Sequence, residues 1–207
     1  MAVLDDQGDQ DPQATRKLLL RARAGDRSAA DELFAAAAER VGLFVQLRMG
    51  PALRAKMEPV DVIQETWVAV LEGLEDFESR GQGSFSAWVC RIAERRLASL
   101  ARYGARAKRK LPGTEQAVSM LLDHARQSAT GPFSHAVCSE RGSQLSSAIE
   151  ALEAKDREVL LMRHFEELTL DEISHRTGSS PSAVRRQLGR ALALLGQSIG
   201  SGERPKS

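Results

Sequence analysis

Residues 168–195 read LTLDEISHRTGSSPSAVRRQLGRALALL, and they spell two short helices with a sharp corner between them. Thr169 and Glu172 have the spacing of a capping box, in which each side chain satisfies a backbone N–H at the other position, so a helix is expected to start near Leu170. It should stop at Gly178, the residue type that adopts a left-handed backbone with least strain. Ser180 then offers an N-cap, and Pro181 suits the first position of the next helix, where its missing N–H is not needed. On that second helix Ala183, Val184, Leu188, Ala191 and Leu192 share the inward side. Ser182, Arg185, Arg186 and Arg190 face outward. A short helix, a glycine corner and a basic second helix are the layout of a helix-turn-helix, whose second helix enters the major groove. An ordinary helical hairpin within a bundle would give the same pattern.

The surrounding sequence is helical too. ALEAKDREVLLMRHFEE (151–167) reads as an amphipathic helix with Leu152, Val159, Leu160 and Phe165 among its apolar positions. Further forward, SAADELFAAAAERVGLFVQLRM (28–49) sets Leu33, Phe34, Ala37, Val41, Phe44 and Val45 on one stripe. PVDVIQETWVAVLEGLEDF (59–77) repeats Ile63, Trp67, Val70, Leu74 and Phe77 at alternating steps of four and three, the spacing of a core-facing helix side. Its other side carries Asp61, Gln64, Glu65, Val68, Glu72 and Glu75, which taken alone is a solvated surface. After a Gly81–Gln82–Gly83 break, Ser84 is a plausible N-cap for a helix whose Phe85, Trp88, Val89, Ile92 and Leu97 turn inward.

That last helix accumulates bases: Arg91, Arg95, Arg96, Arg102, Arg106, Lys108, Arg109 and Lys110, opposed only by Glu94. The chain as a whole carries 29 Lys and Arg against 28 Asp and Glu, so the concentration is local. Positive charge gathered on one helix is an electrostatic footprint for phosphate; a basic helix end favourable to the macrodipole is the plainer account.

Composition supports an all-α chain of two small helical domains joined by a flexible linker, the second domain a helix-turn-helix. Ala, Leu, Arg and Glu abound, aromatics make up 4%, and no stretch alternates like a strand. The expected boundaries are a polar tail over 1–14, a helical domain over 15–110, a Pro-, Gly- and Ser-rich linker over 111–142 with one helical piece near Glu115 to Arg126, a helical domain over 143–199 and a frayed tail over 200–207. The start is acidic and polar, unlike a signal peptide, and no apolar run approaches a membrane span, so a cytoplasmic protein without membrane contact is expected. Cys90 and Cys138 form neither a disulfide framework nor a metal spacing. His124, His135, His164 and His175 make no metal or nucleophile constellation, and no phosphate loop or paired catalytic carboxylates occur. No enzyme, metal or cofactor is expected.

Taken together, three stretches resemble the sigma factors of bacterial RNA polymerase, of the compact extracytoplasmic-function kind with only regions two and four. DVIQETWVAVLEGLEDFE is similar to region 2.2, with its D-x-x-Q-E run. SFSAWVCRIAERRLASLAR is similar to regions 2.3 and 2.4, with an F-x-x-W-x-x-x-I-A pattern. REVLLMRHFEELTLDEISHRTGSSPSAVRRQLGRALALL is similar to region 4. Their order and spacing carry the resemblance, which spans about residues 16–110 and 143–196.

The resemblance implies that Asp61, Gln64, Glu65 and Val68 engage the clamp helices of the polymerase beta-prime subunit. It implies that the second block of the front domain faces promoter DNA through Arg80, Gln82, Ser84, Arg91, Arg95, Arg96, Ser99 and Arg102. The pocket for a base extruded from the non-template strand would fall at about Ser79 to Ser84. Region 4 would read the upstream promoter element through Thr169, Ser180, Ser182, Arg185, Arg186 and Arg190. Partners would be core RNA polymerase and promoter DNA, with room for an anti-sigma factor. Two departures bear on promoter preference: Arg95 and Ser99 stand where the family often has Asn and Asp, and Ser179 where it commonly has an aliphatic residue. The rival reading is a stand-alone helix-turn-helix regulator whose front domain senses or dimerises. Trp88 lies on the apolar stripe, which favours a core role over a stacking platform.

Overall fold

The computed structural model describes residues 12–78, 84–106 and 140–202, and among them every regular element is a helix. The front unit comprises α1 (Pro12–Arg23), α2 (Arg27–Arg48), the single turn α3 (Pro51–Arg54), α4 (Pro59–Gly73) and α5 (Ser84–Arg106). The rear unit comprises α6 (Glu140–Glu150), α7 (Ala154–His164), α8 (Leu170–Thr177) and α9 (Pro181–Gly202).

Local chemistry sets most of these boundaries. Gly25, with φ of 89°, turns the chain between α1 and α2, and Asp26 caps α2 by accepting a hydrogen bond from the Ala29 N–H at 3.2 Å. Glu58 and Asp61 form a capping box at the start of α4, with Pro59 at its first position. Thr169 and Glu172 do the same for α8, and Gly178 ends that helix with φ of 68°.

The central member of the front unit is α2, flanked by α1, α4 and α5. Its Leu33, Phe34, Ala37, Val41, Phe44 and Val45 are all buried, as are Ile63, Trp67, Val70, Leu74 and Phe77. Each large apolar side chain so buried contributes roughly 1.5–3 kcal/mol. Phe34 stacks on Trp67 with ring centroids 4.5 Å apart. The rear unit keeps its own small cluster of Val159, Met162, Ile173 and Val184 beneath the helix-turn-helix.

The main core does not stop at the unit boundary. Leu145, Ile149, Leu152, Leu160, Leu161, Phe165, Ala191 and Leu195 join the front-unit residues in one continuous cluster. Phe44 meets Phe165 at 5.7 Å between centroids, and α6 lies against α2. The sequence reading of two domains on a linker did not anticipate this docking.

Several boundaries move. Residues 12–14, read as tail, are helical because Pro12 can open a helix and Thr15 is already buried. The helical run of the rear unit starts at Glu140 rather than 143, and it breaks at Ala151–Glu153 before α7 instead of running through from 151. α9 continues through Ser198 and Gly202, three residues into the expected tail, since nothing before Gly202 breaks it. Ser84 is the first residue of α5, not the cap before it, and its side chain is buried. Residues 1–11, 79–83, 107–139 and 203–207 lie outside the described residues, and with them most of the expected linker.

The corner at Gly178 gives a direct test. A Cβ there would meet no atom within 4 Å, so the penalty of a side chain is conformational. Gly178→Ala should lower unfolding stability by roughly 1–2 kcal/mol, the cost of a left-handed L-residue, measured by urea denaturation.

Candidate functional site

Three surfaces carry the residues singled out by the sequence. The first is the outer side of α4. Asp61 is exposed, and its Oδ2 accepts a hydrogen bond from the Glu58 N–H at 2.9 Å, so it holds the helix start as well as offering charge. Gln64, Glu65 and Val68 are half-buried beside it. Burial chiefly pushes the Glu65 carboxyl above its usual range; the Arg96 guanidinium pulls it back and the Asp61 charge adds to the rise. Glu65 therefore sits between the acidic side of α4 and the basic side of α5.

Two neighbours on this surface escaped the sequence reading. Val60 and Leu71 are 38% and 45% exposed, large for apolar side chains. With Gln64 and Val68 they fall at steps of four, four and three, one continuous stripe bordered by Asp61, Glu65 and Glu72. The available signal was that both are apolar yet lie off the core stripe of Ile63, Trp67 and Val70. An apolar strip rimmed by carboxylates suits a partner surface that is apolar and basic.

The second surface is α5. Arg95 and Arg102 are exposed, while Arg91, Arg96 and Ser99 are half-buried. Arg80 and Gln82, with the expected base pocket at 79–83, lie outside the described residues. Ser84 is turned into the protein, which separates it from the exposed cations of the same helix. Trp88 packs against Phe77 and Phe85, with centroids 4.7 and 5.9 Å away, and its ring edge lies over Gly73. It belongs to an aromatic cluster that fastens α5 to the end of α4.

The third surface is the helix-turn-helix. Thr169 is spent on the capping box of α8. Ser180 Oγ accepts a hydrogen bond from the Ala183 N–H at 3.3 Å and lies 3.1 Å from Ser182 Oγ at the start of α9. Ser182, Arg185 and Arg186 are exposed on the first two turns of that helix. The half-buried Ser179 uses its backbone: its carbonyl accepts from Ser174 Oγ, and its N–H donates to Thr177 Oγ1 at 3.3 Å. These contacts set the corner without an aliphatic side chain.

Arg190 is separate from this group. Its Nε and Nη2 donate to the two carboxylate oxygens of Asp156 at 2.5 and 2.6 Å, and Asp156 is only 1% exposed. The bidentate pair ties α9 to α7. Arg190→Ala should therefore leave a buried carboxylate without its partner and lower unfolding stability measurably in urea denaturation. Arg186→Ala, an exposed change, should stay within about 0.5 kcal/mol of the parent in the same denaturation series.

A charge cluster that the sequence did not reveal joins the two units. Arg48, at the end of α2, is mostly buried and reaches three carboxylates: Glu94 at 3.1 Å, Glu166 at 2.9 Å, and Glu158. Arg176 of α8 contacts Glu166 at 2.5 Å and Glu94 at 3.4 Å. Burial lifts the Glu94 carboxyl above its usual range, Arg48 and Arg176 oppose the rise, and Glu166 and Glu158 add to it. Two turns earlier on α2, Arg40 lies over the Phe165 ring at 5.8 Å and donates to the His164 carbonyl. Five charges at positions 48, 94, 158, 166 and 176 share no periodicity, so no sequence signal could have assembled them.

The described residues contain no helix long and apolar enough to cross a membrane and no metal-ligating group of three or more side chains. Cys90 is fully buried, and burial pushes its thiol up to about 12, which keeps it protonated.

Both units match known protein families. Residues 47–107 match the family model for sigma-70 region 2, and residues 143–195 match that for sigma-70 region 4. The ECF RNA polymerase sigma factor ShbA of Streptomyces griseus is 32% identical over 135 residues, 65% of this chain and 68% of that protein. The ECF RNA polymerase sigma factor SigD of Mycobacterium tuberculosis is 29% identical over 182 residues, 88% of this chain and 82% of that protein. The ferric citrate uptake sigma factor FecI of Escherichia coli is 28% identical over 140 residues, 68% of this chain and 75% of that protein. A solved structure of CnrH in complex with the cytosolic domain of CnrY aligns at a TM-score of 0.47 and 23% identity, covering 91% of this chain and 98% of that one. The two family models in one chain, with relatives that match across both, disfavour a stand-alone helix-turn-helix regulator. The chain belongs to the extracytoplasmic-function sigma factors of RNA polymerase, and it directs transcription initiation.

Proposed function

We propose that the work is divided between the two units: the front unit docks on core polymerase and opens the downstream promoter element, and the rear unit reads the upstream element. The observation that carries the rear-unit half is the start of α9. Ser182, Arg185 and Arg186 stand exposed on the first two turns, and Ser180 caps the helix end where partial positive charge gathers. In a helix-turn-helix those are the turns that enter the major groove. Arg185 and Arg186 then pair with guanine edges or with phosphates, while Arg190 holds the helix at its angle through Asp156.

The front-unit half rests on two neighbouring surfaces of opposite character. The α4 stripe of Val60, Gln64, Val68 and Leu71, flanked by Asp61 and Glu65, docks on the beta-prime clamp helices. Arg91, Arg95, Arg96 and Arg102 of α5 neutralise phosphates of the opened promoter. No bond chemistry is involved, so the chain is not an enzyme; strand opening is driven by contacts to unstacked bases and by phosphate neutralisation. Transcription initiation places the protein in the cytoplasm.

Two measurements test the division. Glu65→Lys should weaken binding to core polymerase at least about tenfold, a loss of 1.4 kcal/mol, while circular dichroism stays unchanged. Undiminished core affinity of that folded variant removes α4 from the docking surface. The Arg185→Ala, Arg186→Ala double variant should retain core binding and lose promoter affinity. A base contact shows as a loss of about 1–3 kcal/mol confined to one base position, and phosphate contacts as a uniform loss with a shallower salt dependence. Full promoter affinity in the double variant would take α9 out of the interface.

A further inference from the structure

We propose that Arg23, the last residue of α1, is a positioning residue for recognition of the downstream promoter element. It holds the end of α4 on which the first turns of α5 are seated, and its role rests on the reading above that α5 faces the opened strand. Helix α1 carries none of the residues named on the polymerase-facing or DNA-facing surfaces, and Arg23 lies outside residues 47–107, which match sigma-70 region 2. Its guanidinium nevertheless crosses to α4. Nε donates to the Leu74 carbonyl at 3.0 Å, and Nη2 donates to the Phe77 carbonyl. Arg21, in the same last turn, is taken up locally by Asp26, with 2.8 Å from Nε to Oδ2. The Gly25 N–H donates to the Ala22 carbonyl and the Asp26 N–H to the Arg21 carbonyl, both at 3.0 Å, so Arg23 reaches out beside a hydrogen-bonded turn.

Helix α4 needs an outside partner at this end. A helix leaves its last carbonyls without intrahelical donors, and a left-handed glycine often satisfies some of them. α4 has no such stop: Leu74 at its C-cap is right-handed, with φ of −65°. The backbone bonds that follow are long, 3.4 Å from the Leu74 N–H to the Leu71 carbonyl and 3.4 Å from the Phe77 N–H to the Leu74 carbonyl. The last turn of α4 holds no basic residue, while Glu72, Glu75, Asp76 and Glu78 stand exposed around it. Negative charge there opposes the negative end of the macrodipole. Arg23 brings a cation and a planar fork of donors to the same spot, and so caps α4 from α1.

The grip passes to α5 through Phe77. Its carbonyl is held by Arg23, and its ring is 5% exposed, edge-on to Phe85 at 5.6 Å and against Trp88 at 4.7 Å. Trp88 also lies over Gly73, where a Cβ would stand 3.4 Å from Cζ2. Phe85 and Trp88 occupy the first two turns of α5, with Ser84 and Ser86 buried beside them. One residue thus joins a backbone held from α1 to a ring that seats α5. Arg91 and Arg95 follow one and two turns beyond Trp88. Unstacking a base has to be offset by new contacts, and a preorganised site tolerates displacements of only about 0.5 Å. The end of α4 is therefore part of what selects the base, although it need not touch DNA.

The test uses the full chain in complex with core polymerase and a pool of single-stranded DNA of random sequence. Captured strands are sequenced, and the enrichment of the best over the worst base at each position measures preference. Arg23→Met keeps the length of the side chain and removes its donors. It should leave helix content and core affinity unchanged and lower the enrichment at the most selective position by about tenfold. Arg23→Lys, which keeps the charge but not the fork, should recover part of the loss. Phe77→Leu should lower preference as Arg23→Met does, and the double variant should lose no more than the larger single loss, because both changes act through one residue. If Arg23→Met does not fold, Arg23→Gln, too short to hold both carbonyls, is read against the same outcomes. Full preference in the folded variant would overturn the positioning role. Equal losses of core affinity and preference without recovery in Arg23→Lys, or additive losses in the double variant, would overturn it as well. A parent complex that captures strands without any preference overturns the reading of the front unit, and this role with it.

Discussion

A carboxylate cut off from water has to be matched by cations, and Glu166 is matched by two from opposite sides of the molecule. Arg48 comes from the end of α2 and Arg176 from α8, so one buried charge ties the end of α2 to the first helix of the helix-turn-helix. The apolar core around it follows the same line. Phe44 packs on Phe165 one turn from Arg48, and the arginine in turn lies over the Phe44 ring at 5.6 Å. The ion pairs and the aromatic contact are therefore parts of one interface, with buried charge beside the rings.

Charges in this chain divide by how much freedom their partners leave them. Arg185 and Arg186 are exposed, and the first turns of α9 hold nothing that competes for them among the described contacts. Arg190, one turn further, is 55% exposed yet locked bidentately on Asp156. On the sequence all three looked alike, because helical periodicity assigns a face and not a partner. Asp156 lies 34 residues away on α7, and only the packing of α7 against α9 brings it within reach. The same reasoning separates Asp61, which shares its carboxylate with a helix start, from Glu65, whose half-burial beside Arg96 has no counterpart in the sequence pattern.

Much of the architecture was legible because its signals are local. The capping box at Thr169–Glu172, the proline at the first position of α9 and the left-handed Gly178 act within a few residues of themselves. The core stripes were legible for the same reason: Ile63, Trp67, Val70, Leu74 and Phe77 announce a buried side whatever lies against it. What could not be read is tertiary. The docking of the rear unit on α2 depends on Arg40, Phe44 and Arg48, and two of those three look like solvent-facing positions next to an apolar stripe. The exposed Val60 and Leu71 were assigned to neither side of α4, since an apolar residue off the core stripe stands out only when its angle around the axis is checked.

The placement of acidic groups explains why a nearly neutral chain can serve an anionic ligand. Its carboxylates are not scattered among the exposed cations of α5 and α9. Glu94 is the only acidic residue on α5, and it is turned to Arg48 and Arg176 instead of toward solvent. Glu158, Glu166 and Asp156 are likewise committed to arginines inside the rear unit or across the boundary. Each such pairing removes a negative charge from the surface field, leaving Arg95 and Arg102 on α5 and Arg185 and Arg186 on α9 to set the local potential. The acidic side of α4 stays outside this arrangement, so two neighbouring surfaces of the front unit present opposite charge. Internal ion pairing thus does two jobs with the same side chains: it joins the helices, and it sorts a net charge near zero into separate acidic and basic faces.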